Sequence, residues 1–280
     1  MTRTLHGSRA ARWKEAGRIA FLTALSLIMF FPIFWMVLSS VKAPSAVIKR
    51  SVFWPCTLYW ENYVVAFNAA PFGRYFINSF TMAALTVMAQ VITGSLAGFG
   101  FAKMRFRLNK PLFLLFLCSM MIPSEATIIS NYLTISAMGL LDTYLSVIIT
   151  SFVSVFAVFL FRQFYMSIDN ALLEAARIDG AGEMRIYLSI ILPLSKSAMA
   201  TVAIIGFIGS WNSYLWPLII VNSAELRTVQ TGLRTLMLSD FGEDWGAIMA
   251  AASMTTLPVV ILFICLQRYF VQGITRVGLK

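Results

Sequence analysis

The stretch IAFLTALSLIMFFPIFWMVLSSV, residues 19–41, runs without a single Asp, Glu, Lys or Arg. The hydrocarbon core of a bilayer is about 30 Å thick and is crossed by roughly 20 helical residues, so this run is long enough to span it. Five further runs read the same way: 76–102, 111–131 (interrupted once, by Glu125), 143–161, 197–221 and 246–267. Lipid offers backbone groups no hydrogen-bond partners, so such runs must be helices or strands of a closed barrel. They are continuously apolar rather than strictly alternating, which selects helices. The expected fold is therefore all-α, a polytopic membrane protein with six transmembrane helices.

The composition agrees. Of 280 residues, 59% are hydrophobic and 12% charged, with a mean hydropathy of +0.79. Soluble domains carry about 25% charged residues, and disorder needs low hydrophobicity with high charge, so both classes are excluded. The net charge of +10 would suggest nucleic-acid binding in a soluble protein, but here its distribution sets topology. Counting connections, 16 of the 22 Lys and Arg residues fall on one side of the six spans and six on the other. By the positive-inside rule the richer side, with both termini, is cytoplasmic. The first run exceeds a signal-peptide core and five more follow, so it is read as an uncleaved helix. Cys118 and Cys265 lie in spans and Cys56 stands alone in an outer loop, leaving no disulfide framework.

Two segments result: a cytoplasmic N-terminal piece, 1–18, and a single membrane domain, 19–280. Outer loops are expected at 42–75, 132–142 and 222–245. The cytoplasmic connection 162–196 is the outlier, far longer than most helix-helix connections and with helical sequence of its own. Asp169 and Asn170 are good helix starters, Ala171-Leu172-Leu173-Glu174-Ala175-Ala176 favours helix, and Gly180 and Gly182 stop it. Leu172, Ala175, Ala176 and Asp179 share a shallow face at i, i+3, i+4, i+7, which another protein could approach closely. Met184, Tyr187, Leu188 and Ile191 form a second stripe, and Leu192-Pro193 marks the bend into the fifth span.

These residues also carry a resemblance. Glu174-Ala175-Ala176, then Gly180, then Ile190 and Leu192-Pro193, meet every fixed position of the EAA signature of binding-protein-dependent ABC importer permeases. Further likeness lies in Trp211-Asn212-Ser213-Tyr214-Leu215-Trp216-Pro217-Leu218, in Leu226-Arg227-Thr228-Val229-Gln230 and in the run from Gln267 through Thr275. From about residue 20 onward the chain resembles the smaller six-span subunit of the carbohydrate-uptake, MetI-like family. Residues around Arg162 and Pro193 look closer to glycerol-phosphate-type members than to maltose ones. The tail after Thr275 departs from the family's small-residue ending, which puts its contact with the ATPases in doubt.

The resemblance implies an importer of a sugar or sugar-like solute working by alternating access in the bacterial inner membrane. Implied partners are a second, non-identical permease, two ABC ATPase subunits, an extracytoplasmic solute-binding protein and the lipid bilayer, with no nucleic acid. The segment Glu174, Ala175, Ala176, Arg177, Asp179, Gly180 and Ala181 would be the coupling helix seated on an ATPase. The 222–245 loop, with its acids Glu225, Asp240, Glu243 and Asp244, would meet the binding protein. No phosphate-cradling Gly-x-x-x-x-Gly-Lys-Ser/Thr occurs, so the chain is expected to bind no cofactor of its own, with ATP and Mg²⁺ held by the partners.

For the solute pathway the candidates are Glu125, Trp211, Asn212 and Tyr214. A carboxylate inside a span is costly and usually faces a polar cavity or a partner, and Glu125 fits either a cavity wall or a structural hydrogen bond. The aromatic and amide groups suit a sugar's C–H faces and hydroxyls; Trp216 is read instead as part of the interfacial belt. Gly94-Ser95-Leu96-Ala97-Gly98 is a small-residue packing pattern. One histidine, His6, excludes triad or histidine-metal chemistry. The rival readings are an ion-coupled secondary transporter, which would need intramembrane charges or paired broken helices, and a membrane enzyme, which would need His, Asp or Cys clusters.

Overall fold

The computed structural model describes residues 9–47, 53–55, 57–238 and 244–277, with side chains at 13–47, 53–55, 57–238 and 244–267. Among the described residues there is no strand. Three helices are long and apolar enough to cross a membrane unbroken, Trp13–Ser40, Phe72–Lys103 and Trp245–Gln267. Three helix pairs are long and apolar enough only together and are bent at a break: Asn109–Met121 with Ser124–Ala137 at 91° and Tyr144–Ser151 with Val155–Met166 at 46°, over the third and fourth expected spans, and Glu183–Leu194 with Lys196–Trp211 at 75°, which joins the end of the expected cytoplasmic connection to the start of the fifth.

The chain divides into two compact units. The first comprises Met1–Ala69 and Leu236–Met254. It holds α1 (Arg9–Ser40), α2 (Pro44–Val47), α3 (Glu61–Asn68) and the start of a long helix named below. Its connection after α1 is ordered by Asn62, whose Nδ2 donates to the carbonyls of Ser40 and Lys42 at 2.8 Å each. Lys42 is itself buried, with Nζ 4.1 Å from the centre of the Trp35 ring, and burial lowers its pKa from the ordinary value.

The second unit, Ala70–Thr235 and Thr255–Lys280, is centred on α4 (Phe72–Lys103). Around it run α5 (Asn109–Cys118), α6 (Ile128–Ala137), α7 (Tyr144–Ile148) and α8 (Val155–Met166), followed by α9 (Asn170–Ile178), α10 (Glu183–Ile186) and α11 (Leu192–Leu194). Then come α12 (Lys196–Trp211), α13 (Leu215–Ile220), α14 (Val229–Leu238) and α15 (Trp245–Val277). α4 packs along α8 and α12. The small-residue pattern explains the first of these contacts. A Cβ at Gly98 would lie 2.7 Å from the Phe161 Cβ and 3.0 Å from the Arg162 backbone N, and one at Gly94 would lie 2.8 Å from the Ala157 Cβ.

Each interruption has a local cause. In the third span Pro123 lacks an N–H and forces Ile122 into extended backbone, φ −85° and ψ 116°. Glu125 therefore sits in a 3₁₀ turn just past the break rather than inside a continuous helix. In the fourth span Ser154 is extended and its Oγ accepts the Ala157 N–H at 3.2 Å, starting a new helix. The carbonyls freed at this break are taken by α4: Gln90 Nε2 donates to Ser151 O at 3.0 Å and Thr93 Oγ1 to Phe152 O at 2.9 Å. The fifth run, 197–221, is not one helix either. α12 ends at Trp211 with Asn212 as its cap, and α13 restarts at Leu215.

Loop expectations change accordingly. Part of 132–142 is helix, since α6 continues to Ala137. The 222–245 segment contains a 3₁₀ turn at Ala224–Leu226 and the helix α14. Asp240 and Glu243 lie outside the described residues, as do Cys56 and His6.

Candidate functional site

The long connection folds as a docked helix pair at one end of the second unit. Asp169 caps α9, its Oδ1 accepting the Ala171 N–H at 3.0 Å. The other end closes in a Schellman turn: Gly180 N–H donates to Arg177 O at 3.0 Å and Ala181 N–H to Ala176 O at 2.9 Å. Gly180 has φ +81°, the left-handed region that favours glycine. Lys103, the last residue of α4, ties the entry down with Nζ 2.7 Å from both Ile168 O and Asn170 Oδ1. Arg177 forms a bidentate pair with Glu183, Nε to Oε1 at 2.8 Å and Nη2 to Oε2 at 3.2 Å.

Leu173 is the buried anchor of α9, packed in a cluster with Phe161, Ile186, Tyr187 and Ile191, which leaves Leu172, Ala175 and Asp179 of the expected shallow face exposed. Ala176 and Ala181 lean on that cluster, so they serve the chain's own packing, while Glu174, Ala175, Arg177 and Asp179 are exposed. On the following segment Ile186, Tyr187 and Ile191 are buried whereas Met184 and Leu188 are exposed. A π-helical turn at Tyr187–Ile191 shifts the register there, and Tyr187 OH lies 2.6 Å from Ser95 Oγ on α4. Four large apolar side chains are thereby left outward: Leu172, Met184, Leu188 and Ile178, the last 86% exposed.

The second feature is an open cavity of about 590 Å³ lined by residues at the breaks near Pro123, Ser154 and Asn212 together with α4 and α12. Of the pathway candidates, Glu125 and Tyr214 line it. Trp211 does not. It is 2% exposed, stacks on Phe207 with ring centres 5.5 Å apart and donates Nε1–H to Thr255 O at 3.0 Å, so it belongs to the core. Asn212 is exposed off the cavity wall, accepting from Gln230 Nε2 at 3.4 Å. Trp216, expected in the interfacial belt, is instead a cavity residue whose Nε1–H donates to Ser146 O at 3.2 Å.

A scan against family models matches residues 90–276 to "Binding-protein-dependent transport system inner membrane component". The chain belongs to this family. It is a transport permease and a multi-pass membrane protein. The arabinooligosaccharides transport system permease protein AraQ of Bacillus subtilis is 34% identical over 264 residues, covering 93% of this chain and 94% of the relative. The sn-glycerol-3-phosphate transport system permease protein UgpE of Yersinia pestis is 35% identical over 257 residues, covering 89% and 91%. Among solved structures, a chain of a bacterial ABC transporter involved in the import of the acidic polysaccharide alginate superposes with a TM-score of 0.83, covering 95% of this permease and 100% of that chain at 23% identity. That likeness establishes the MetI-like fold.

Sequence reasoning about the permease missed Gln90 and Asn131, both on the cavity wall. Each is a neutral amide within an apolar run, a signal as informative as Glu125 once charge is set aside. It also missed a latch at the opposite end of the second unit. Asp142, at φ 57°, accepts at Oδ1 from Asn222 N and Ser223 N, both at 3.0 Å, and from Ser223 Oγ at 2.9 Å. The Ser223 backbone bond, foremost, holds its carboxyl below the ordinary pKa. Nearby, Asn78 Nδ2 donates to Glu225 O at 2.7 Å and Arg227 O at 2.9 Å, and Tyr144 OH to Asn78 Oδ1 at 2.5 Å.

Proposed function

We propose that this permease is one of two non-identical membrane subunits of an ATP-driven importer that takes up a sugar or sugar-like solute across the bacterial inner membrane. Two ABC ATPase subunits supply the energy and an extracytoplasmic binding protein delivers the solute. The relatives' names, arabinooligosaccharide and glycerol-phosphate permeases, support the solute class.

The observation that carries the coupling role is the exposed face of α9 and α10. α9, capped at both ends and anchored by the buried Leu173, holds Leu172 and Ile178 outward beside Glu174 and Asp179, and the segment after it exposes Met184 and Leu188. Apolar side chains of this size, rimmed by charge, suit a protein groove. Motion of a seated partner reaches the membrane helices through Leu173, through Lys103 at the end of α4 and through the Tyr187–Ser95 contact. Closure of the ATPases on ATP then moves this end of α4 and opens the cavity to the binding protein, and hydrolysis resets it.

Reconstitution tests the proposal. Uptake into liposomes is expected to stop on ATP depletion and to survive a protonophore, and the chain is expected to co-purify with an ATPase. Uptake that follows the proton gradient instead would support the ion-coupled alternative. Glu174→Lys is expected to leave the complex assembled while uncoupling hydrolysis from uptake; normal transport by that variant would remove the coupling role.

A further inference from the structure

Where α8 leaves the fourth span, an arginine stands without a counter-charge. The Arg162 guanidinium carbon lies 4.0 Å from the centre of the Phe113 ring on α5, and Nε is buried with no acceptor among the described residues. The residue as a whole is half-buried, so its terminal amino groups reach the surface. Its position is tightly fixed: the Arg162 backbone N would lie 3.0 Å from a Cβ at Gly98, which presses this end of α8 against α4.

The charge around it is of one sign. From Gly98 to Cys118 the chain carries Lys103, Arg105, Arg107 and Lys110 and neither Asp nor Glu. Lys103 is committed to Ile168 O and Asn170 Oδ1, but Arg105, Arg107 and Lys110 are exposed. They stand on an ordered turn. Met104 leaves α4 in extended backbone, φ −90° and ψ 140°, and Asn109 closes the turn, Nδ2 donating to Met104 O at 3.1 Å and the backbone N–H to Phe106 O at 3.2 Å. Interleaved with these bases, Met104, Phe106 and Leu108 are exposed as well. Lys110 precedes Phe113 by three residues, one helical turn away on the same side of α5.

We propose that this corner binds the phosphate of an anionic phospholipid of the cytoplasmic leaflet, with Arg162 on the phosphate, Arg105, Arg107 and Lys110 around the headgroup, and Met104, Phe106 and Leu108 among the upper methylenes of the acyl chains. An arginine at the edge of a span is costly unless something pairs with it. The Phe113 ring covers one face of the planar guanidinium, and the edge that remains is a fork of donors matched to phosphate. Basic pockets between membrane helices on this side suit anionic headgroups. A general excess of positive charge needs no such fixed group; the stacked, unpaired arginine is what makes a site of a charged surface. The bound lipid bridges α5 and α8 beside the end of α4, where Lys103 holds the entry to α9.

The test uses the purified membrane complex that contains the permease, stripped of lipid in detergent and titrated with phosphatidylglycerol, phosphatidylcholine or inorganic phosphate, bound lipid being counted by native mass spectrometry. Phosphatidylglycerol is expected to bind more tightly than phosphatidylcholine. Arg162→Gln is expected to weaken it about tenfold, the loss of one hydrogen bond to a charged group. Arg162→Lys keeps the charge without the fork and is expected to recover only part. Arg18→Gln, which removes an exposed base from α1, is expected to leave the binding unchanged. Arg105→Gln combined with Lys110→Gln alters exposed side chains only and is expected to weaken binding severalfold, which keeps the test decisive where Arg162→Gln does not assemble. Equal losses in Arg162→Gln and Arg18→Gln, binding indifferent to the double variant, or phosphatidylcholine held as tightly, overturns the proposal. Displacement of phosphatidylglycerol by millimolar inorganic phosphate assigns the corner to the free anion and overturns the lipid. A complex that takes up no phosphatidylglycerol yet dissociates in Arg162→Gln shows that a carboxylate of a partner subunit meets Arg162, and overturns it too.

Discussion

Gln90 Nε2 donates to the backbone carbonyl of Ser151 at 3.0 Å, joining the middle of the longest packed helix in the second unit to the break in the fourth span. A break at membrane depth frees backbone groups that lipid cannot satisfy, and it persists only where a neighbour supplies partners. Gln90 and Thr93, one turn apart on α4, are those neighbours, and Gln90 also faces the cavity. A structural hydrogen bond and a wall group are thus the same side chain. Replacing it by leucine leaves the Ser151 carbonyl without this donor, at a cost of about 1–3 kcal/mol. Gln90→Leu is expected to lower the thermal midpoint of the purified complex, whereas Gln90→Glu, protonated at the amide's position, is expected to recover part of it in acid. Thermal unfolding followed by a detergent-compatible fluorescence assay checks both.

The contact between α4 and α8 allows no side chain at Gly98. A Cβ there meets the Phe161 Cβ at 2.7 Å and the Arg162 backbone at 3.0 Å, and neither can move without shifting α8. Gly98→Val is expected to destabilise by about 1–3 kcal/mol, as overpacking does, and to reduce the amount of complex recovered from membranes. Gly100→Val, two residues on and facing open space, is the control and is expected to be recovered at normal yield.

At Gly180 the constraint is conformational rather than steric. A Cβ would touch nothing within 4 Å, but φ is +81°, and an L side chain in the left-handed region costs about 1–2 kcal/mol. Gly180→Ala is therefore expected to loosen the Schellman turn that fixes α9 against the next segment, lowering solute-stimulated ATPase activity while the membrane helices stay assembled. Gly180→Asn, which tolerates this region better, is expected to retain more activity than alanine. Equal activity of all three proteins would show that the turn does not transmit the coupling motion.

What was legible in the chain follows from which forces act locally. The charge-free runs identified the membrane segments because lipid imposes its demand residue by residue. The cap at Asp169 and the stop at Gly180 were legible because both are properties of the adjacent backbone. The breaks near Pro123, Ser154 and Asn212 were not, since a charge-free run reads alike straight or bent, and at Ser154 the freed carbonyls are held from α4. The buried anchor of α9 was not legible, because Leu172 and Leu173 are adjacent and only the packing of Phe161, Ile186 and Tyr187 chooses between them. Beyond it, a π-helical turn altered the helical period on which the second stripe was read. The places of Trp211 and Trp216 were not legible for a similar reason: the break between them leaves one in the core and the other on the cavity wall.

The Asp142 latch gives a prediction in pH. Its carboxylate accepts three hydrogen bonds from Asn222 and Ser223, which favour the charged form, so its pKa is lower in the folded protein than its ordinary value, about 3.9 in an unfolded chain. A group depressed in this way contributes stability that is fully present above its unfolded value and is lost as pH falls through the folded one. Between pH 5 and 8 the latch is therefore constant, and below about pH 4 it weakens. Asp142 occupies φ 57°, a conformation asparagine also tolerates, so Asp142→Asn keeps the backbone and an acceptor oxygen while removing the charge. That variant is expected to melt below the parent near neutral pH. The gap should narrow as both proteins are taken below pH 4, because the parent loses the same charge by protonation. A gap that stays constant with pH would mean that the hydrogen bonds hold without the charge, and a gap that widens in acid would reverse the sign assigned to the carboxylate.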